Sequence, residues 1–167
     1  MTGRAPRTPS RPRAVPAGRF AVVAARFNEA ISKKLADGAV AALSEGGVRP
    51  ERVDVHWVPG SFELPLAAMT LARTRRYAAV VCVGVVIRGE TPHYEYVAGA
   101  AAQGLSRVAL ETGVPVTFGV ITSLTEEQAW ERAGGSVGHR GEEAARAALE
   151  MAGWMREGRA SRRSGRG

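Results

Sequence analysis

The stretch VVCVGVVIRGETPHYEYVAG, residues 80–99, decides the fold of this chain. Its first eight residues carry no charge and include five valines, a composition typical of a strand that is covered on both faces of a parallel sheet. Thr91 can then serve as the N-cap of a helix, and Pro92 fits the first helical position, where a missing N–H costs nothing. The stretch therefore predicts a buried strand, a turn and a helix that starts at the carboxyl end of a sheet.

The start of that helix carries the strongest chemical signal in the sequence. Free backbone amides in the first turn of a helix attract anions, and open α/β sheets bind ligands at the carboxyl ends of their strands. His93 follows directly, and an imidazole can donate and accept a proton near neutral pH. The sequence thus predicts an anion site with an acid-base group beside it.

Strand and helix patterns alternate along the rest of the chain, without an internal repeat. The apolar spacing predicts strands over residues 20–25, 52–58, 80–87 and 114–121, and helices over residues 31–45, 62–75, 92–111, 125–133 and 141–155. Residues 134–138, GGSVG, are predicted to be a flexible link. Alternation of this kind indicates an α/β fold with a parallel sheet between two helix layers and right-handed crossovers.

The positive charge of the chain is concentrated at its ends. At 167 residues and 45% hydrophobic, the chain suits one domain. Residues 1–19 carry five arginines and no acid, and residues 156–167 carry five arginines and one glutamate, so the net charge of +7 leaves about −2 for the residues between them. We predict a folded domain over residues 19–155 and disordered basic tails over residues 1–18 and 156–167. Such tails could contact nucleic acid, but solvated tails are the favoured interpretation.

Several classes of function find no support in the sequence. The single cysteine, Cys82, lies in the most apolar strand and cannot form a disulfide within the chain, which favours the cytoplasm. A membrane span and a signal peptide are both unsupported, because no long apolar run occurs and no apolar segment follows the basic N-terminus. The spacings of metal sites, phosphate loops and dinucleotide-binding loops do not occur.

Four turns are expected to meet at the carboxyl edge of the sheet. They hold Arg26-Phe27-Asn28, residues 59–63, residues 88–93 and Thr122-Ser123. An aromatic ring, a Gly-Ser turn with a carboxylate, free amides and a histidine suit a planar heterocycle that carries a polyol next to a phosphate. Each residue also has a plainer interpretation: Phe27 as a core residue, Glu63 as a first-turn acid, His93 as an unremarkable histidine and Arg132 as a solvated ion-pair partner.

Five stretches closely resemble the lumazine synthase family, in collinear order over residues 20–152. They are RFN (residues 26–28), VPGSFELP (58–65), VIRGETPHYEYV (86–97), FGVIT (118–122), and EQA with ERAG (127–129 and 131–134). The resemblance implies a three-layer α/β/α sandwich of the flavodoxin-like type, with a four-stranded, mainly parallel sheet in the strand order 2-1-3-4.

The resemblance also implies a reaction and a set of site residues. Family members condense 5-amino-6-(D-ribitylamino)uracil with 3,4-dihydroxy-2-butanone 4-phosphate to 6,7-dimethyl-8-ribityllumazine, without a cofactor or metal. His93 matches the residue used for proton transfer. The pyrimidine and ribityl group would contact Phe27, Asn28, Ser61, Phe62, Glu63, Val86, Ile87 and Phe118, and the phosphate would contact Gly89, Glu90, Thr91, Arg132 and Arg140. Only the amide of Glu90 can help an anion, so its carboxylate must point away.

The family pattern implies an assembly as well. Phe118, Arg132 and Arg140 match residues that a neighbouring subunit contributes, which implies a homopentamer. The short link before the last helix favours assembly into a sixty-subunit icosahedral shell, and an association with riboflavin synthase is a further expectation. Ser136 and His139 depart from the usual lysine and asparagine of many members, which removes one expected phosphate contact.

Two rival functions come from other classes of protein. A flavin-binding module without turnover would need a phosphate loop after the first strand, and residues 26–29, RFNE, are poor in the required small residues. A nucleic-acid or scaffold protein would act through its basic tails and would lose salt-sensitive binding when they are removed.

Overall fold

The central feature of the computed structural model, which describes residues 14–164, is a four-stranded parallel sheet. The strands are ordered β2-β1-β3-β4, which confirms the predicted fold class and strand order. The elements are β1 (Arg19–Ala25), α1 (Glu29–Glu45), β2 (Val53–Val58), α2 (Leu64–Arg73), β3 (Tyr77–Ile87), α3 (His93–Thr112), β4 (Val116–Ser123), α4 (Glu126–Glu131), β5 (Ala133–Gly135), β6 (Gly138–His139) and α5 (Arg140–Ser164).

The sheet is covered on both faces, as its apolar strands require. Alternate residues of a strand point to opposite faces, so Val22 and Val81 lie in a core under α1 and α5, whereas Val23 and Val80 lie in a second core under α2 and α3. These central side chains are fully buried. Strand β2 lies at an edge of the sheet, where Val55 and Trp57 remain partly exposed. Among the described residues, no helix is long and apolar enough to cross a bilayer.

The two ends of the described chain are more ordered than the sequence predicts. Helix α5 continues to Ser164 instead of ending near residue 155, because arginine and alanine favour a helix and only Gly158 interrupts the run. At the other end, Pro16 is buried and the guanidinium of Arg52 donates hydrogen bonds to the carbonyl oxygens of Pro16 and Gly18. The remaining parts of the predicted tails, residues 1–13 and 165–167, lie outside the described residues.

The segment predicted as a flexible link forms a small hairpin. Strands β5 and β6 pair in antiparallel fashion, and Gly134 and Gly138 adopt positive φ angles of 107° and 130°, which glycine tolerates without a steric penalty. The amide of Arg140 donates to the carbonyl oxygen of Arg132 at 2.8 Å. The hairpin therefore fixes the distance between α4 and α5.

A polar network joins β1, β2 and β3 at the amino-terminal ends of these strands. The guanidinium of Arg19 binds Asp54 through two hydrogen bonds of 2.6 and 2.5 Å, and the Tyr77 hydroxyl donates to the same carboxylate at 2.9 Å. These bonds, chiefly the one from Arg19, hold the pKa of Asp54 at about 2. The carboxylate is therefore stabilised in its charged form.

We expect this network to make folding stability depend on pH in a defined acidic range. Because the folded-state pKa of Asp54 lies below its ordinary value of 3.8, its contribution is present above about pH 4 and is lost as the pH falls through about 2. Asp54→Asn should lower the free energy of unfolding at pH 6 by on the order of 1 kcal/mol. Thermal melts of both proteins should converge towards acidic pH, and a constant difference down to pH 2.5 would contradict the assignment.

Candidate active site

A cavity of about 770 Å³ opens at the carboxyl ends of β1, β2 and β3. The predicted turns after these strands meet there, together with the first turns of α3. Nine of the predicted site residues line it: Phe27, Ser61, Phe62, Glu63, Val86, Ile87, Gly89, Thr91 and His93.

Phe27 is held at the cavity mouth by backbone hydrogen bonds between two strand ends. Its amide donates to the carbonyl oxygen of Pro59 at 3.1 Å, and the Arg26 amide donates to that of Val58 at 2.8 Å. The next residue, Asn28, adopts the left-handed conformation, with φ of 59°, which asparagine tolerates better than most residues. This turn leaves the Phe27 side chain 72% exposed, so its ring face is free to stack on a flat ligand.

The turn after β2 brings a hydroxyl and a carboxylate to the opposite wall. Ser61 is buried, and its Oγ atom has no hydrogen-bond partner within residues 14–164. It lies so close to Gly84 that a Cβ atom there would be 2.6 Å from this oxygen. Glu63 follows in a short 3-10 turn closed by its own amide, which donates to the Gly60 carbonyl oxygen at 3.2 Å. An unpartnered buried hydroxyl beside a carboxylate suits a ligand rich in hydroxyl groups.

Residues 88–92 form an irregular turn with free amides. The Arg88 amide donates to the Ser123 carbonyl oxygen at 2.9 Å, which ties the turn to β4. The amides of Gly89, Glu90 and Thr91 find no acceptor within the described part of the chain. Such a row of free donors can bind an anion.

Helix α3 begins one residue later than the sequence predicts. Pro92 is the N-cap, with φ of −71° and ψ of 6°, and no side chain caps the helix, so the predicted capping role of Thr91 is wrong. The first turn closes through the Glu95 amide, which donates to the Pro92 carbonyl oxygen at 2.9 Å. His93 is therefore the first helical residue, and its exposed side chain lines the cavity.

Five predicted site residues do not line this cavity. The Asn28 side-chain amide donates to the Val85 carbonyl oxygen at 3.4 Å and so braces the end of β3. Arg132 donates to the Gln128 carbonyl oxygen, and Arg140 pairs with Glu143 at 2.7 Å. Glu90 and Phe118 are both exposed, Phe118 on the edge strand β4.

The hairpin accommodates Ser136 and His139 through specific contacts. The Glu131 carboxylate accepts hydrogen bonds from the amide and hydroxyl of Ser136, which lower the pKa of Glu131. The His139 ring packs against Gly38 of α1, and its Nδ1 atom accepts from the Glu142 amide at 3.3 Å. These two residues serve the conformation of the hairpin and the start of α5.

The cavity includes side chains that were not predicted as site residues. Tyr94, Tyr96 and Val97 of α3 line it. The helical spacing of Tyr96 and Val97 from His93, three and four residues, would have placed them on the same face once the helix start was known. Among residues 14–164, no group of three or more histidine, cysteine or acidic side chains is arranged to hold a metal ion.

Comparison with protein families identifies a matching family model. The family model described as 6,7-dimethyl-8-ribityllumazine synthase matches residues 17–156 of the 167-residue chain. The matched range begins just before β1, includes every turn of the cavity and ends within α5.

Proposed function

Since the chain belongs to the 6,7-dimethyl-8-ribityllumazine synthase family, we propose that it condenses 5-amino-6-(D-ribitylamino)uracil with 3,4-dihydroxy-2-butanone 4-phosphate, losing phosphate and water. Family membership makes the chain a transferase of riboflavin biosynthesis. The choice of substrates is supported by one observation: an exposed phenyl ring, a carboxylate and an imidazole line a single cavity beside free backbone amides.

The pyrimidine and its ribityl chain would occupy the part of the cavity between β1 and β2. Phe27 offers a ring face for stacking, and Ser61 and Glu63 offer a hydroxyl and a carboxylate for the ribityl hydroxyl groups. The remaining contacts would come from the walls formed by Phe62, Val86 and Ile87. Asn28 would act indirectly, by fixing the Val85 carbonyl group.

The phosphate of the ketose would bind to the amides of Gly89, Glu90 and Thr91, which lack acceptors within the described residues. Glu90 does not line the cavity, as expected if only its amide contributes. Arg132 and Arg140 would add guanidinium groups, which form strong charge-assisted hydrogen bonds with phosphate.

We propose that a neighbouring copy of the chain supplies Arg132, Arg140 and Phe118. All three lie outside the cavity of their own chain, and a copy that lacks them would have an incomplete site. A closed ring of identical subunits, the homopentamer, is the arrangement that we propose, and twelve such rings would form the sixty-subunit shell.

His93 would transfer protons during the condensation. The 5-amino group attacks the ketone carbon, and the hydroxyl that forms must be protonated to leave as water. Loss of phosphate then requires removal of a proton from carbon. The enol that forms becomes a ketone, and the ribityl-bearing nitrogen attacks it to close the ring with loss of a second water. An imidazole that lines the cavity can serve in both directions, and holding the two substrates together supplies much of the remaining rate enhancement.

Purified protein mixed with the two substrates should produce the absorbance of the lumazine. If a folded protein does not form the lumazine from both substrates, the proposal is contradicted.

Removal of residues 1–13 and 158–167 separates an enzyme from a protein that acts by binding nucleic acid through its basic tails. The shortened chain keeps the packed residues Val15 and Pro16 and should retain turnover.

We expect Arg132→Ala to raise the KM for the phosphorylated ketose. Loss of a charge-assisted contact to phosphate should raise this KM roughly tenfold or more, while the KM for the pyrimidine stays unchanged. Steady-state rates with each substrate varied in turn measure both values.

Arg49→Ala is the matched control, because Arg49 is an exposed arginine that pairs with Glu51 and does not line the cavity. It should leave both KM values unchanged. An effect of Arg132→Ala confined to the pyrimidine substrate would contradict the assignment.

A further inference from the structure

The amino edge of the sheet carries a second cavity, at the opposite end of the strands from the candidate active site. Its volume is about 480 Å³, and it lies between the segment before β1, the turns before β3 and β4, and the last turns of α5. Three arginines from two separate parts of the chain, Arg75, Arg156 and Arg159, line it.

None of these three guanidinium groups pairs with an acid within residues 14–164. Asp54, in the polar network at the amino ends of the strands, is already bound by Arg19 and by the hydroxyl of Tyr77, itself a lining residue. The titratable groups that line the cavity are therefore three arginines and one tyrosine. Three like charges gathered around one cavity that no acidic side chain lines create a positive potential that attracts an anion.

Arg75 is held in a conformation that disfavours most residues. Its φ angle is +58°, in the left-handed region that glycine usually occupies after the end of a helix. The turn around it is fixed by its amide, which donates to the Ala72 carbonyl oxygen, and by the Arg76 amide, which donates to the Thr74 hydroxyl. A positive φ angle at an arginine raises the free energy of the folded backbone. Residues with strained backbones of this kind are concentrated at functional sites.

The other walls of the cavity are apolar. Pro16, Val114, Pro115 and Met155 line it together with the arginines. An inorganic anion would contact the arginines but not the apolar walls. A phosphate ester with an apolar group would contact both the arginines and the apolar walls. Guanidinium groups match phosphate oxygens in geometry and charge.

We propose that this cavity binds a phosphate monoester that carries an apolar group, independently of the candidate active site. The phosphate lies among Arg75, Arg156 and Arg159, and the apolar group lies against the proline and valine side chains. The site depends on the extension of α5 beyond residue 155, because two of its three arginines lie there.

Calorimetric titration of the full chain with phenyl phosphate tests the proposal. Arg75→Gly should raise the Kd of this site at least tenfold, and so should the double variant Arg156→Gln/Arg159→Gln. Arg75→Gly should also melt at a higher temperature than the wild type, because glycine adopts positive φ freely. Weaker binding by a more stable protein excludes misfolding as its cause.

Two controls separate this site from the active site. Arg73→Gln removes an exposed arginine two residues away that does not line the cavity, and it should leave the Kd unchanged. Arg132→Ala should weaken only binding at the active site. The proposal is overturned if Arg132→Ala removes all binding, if the three cavity arginines can be replaced without effect, or if benzoate binds as tightly as phenyl phosphate.

Discussion

Replacing His93 with alanine should lower kcat at least tenfold, and by roughly 10²- to 10⁴-fold if proton transfer limits the rate. His93 is the first residue of α3, and its side chain enters the cavity that Phe27 and the free amides also border. Removal of the imidazole takes away the titratable ring that can both protonate the leaving hydroxyl and accept a proton from carbon. The measurement is the rate of lumazine formation at saturating concentrations of both substrates.

The affinity of His93→Ala for the pyrimidine should remain close to that of the wild type, because Phe27 and the residues that we propose for the ribityl group are unchanged. The matched control is His56→Asn, since His56 lies on the edge strand β2 and does not line the cavity. It should change kcat by less than about twofold. Wild-type turnover in His93→Ala would remove this residue from the mechanism.

The sheet could be predicted from sequence because its central strand is apolar without interruption. Residues 80–86 are buried on both faces and Ile87 is half-buried, as their composition leads one to expect. Strand β3 nevertheless begins at Tyr77, since Tyr77 and Ala79 pair with β1 although they stand outside the valine run. The start of β3 is determined by its pairing with β1. The sequence of one segment alone does not reveal this pairing.

The start of α3 could not be predicted from the capping preferences of the nearby residues alone. Thr91 and Pro92 fit the preferences for an N-cap and a first helical residue. In the structure, the hydrogen bond from the Arg88 amide to Ser123 directs the preceding turn along β4, and Pro92 takes the cap position. The contact joins residues 35 positions apart, so sequence preferences near residue 91 carry no information about it.

The hairpin of β5 and β6 could not be predicted for the same reason. Its glycines indicate flexibility when considered alone, yet Val137 and Arg140 bond back to Glu131 and Arg132. The residues that line the cavity were easier to predict, because they follow strand ends and those ends meet at one edge of a parallel sheet. Arg132 and Phe118 do not line the cavity of their own chain, and the role that we propose for them requires a neighbouring copy.

The contact between α1 and α5 leads to the largest stability effect that we predict. Gly141, the second residue of α5, is buried against the backbone of Leu35 in α1. A Cβ atom on residue 141 would lie 2.1 Å from the Leu35 carbonyl oxygen and 2.9 Å from its carbon. Because both atoms belong to the backbone, no side-chain rotation relieves the overlap and the two helices must move apart. We expect Gly141→Ala to lower the free energy of unfolding by about 3 kcal/mol or more.

Gly158→Ala in the same helix is the matched control, because nothing lies within 4 Å of the position that its Cβ atom would take. Alanine is the better helix former, so this variant should melt at the wild-type temperature or slightly above it. Gly141→Ala should melt roughly 6–12 °C lower at the same protein concentration. Displacement of the start of α5 would also move the adjacent Arg140 and its pair with Glu143. Equal melting temperatures for Gly141→Ala and the wild type would mean that α1 and α5 do not pack this closely.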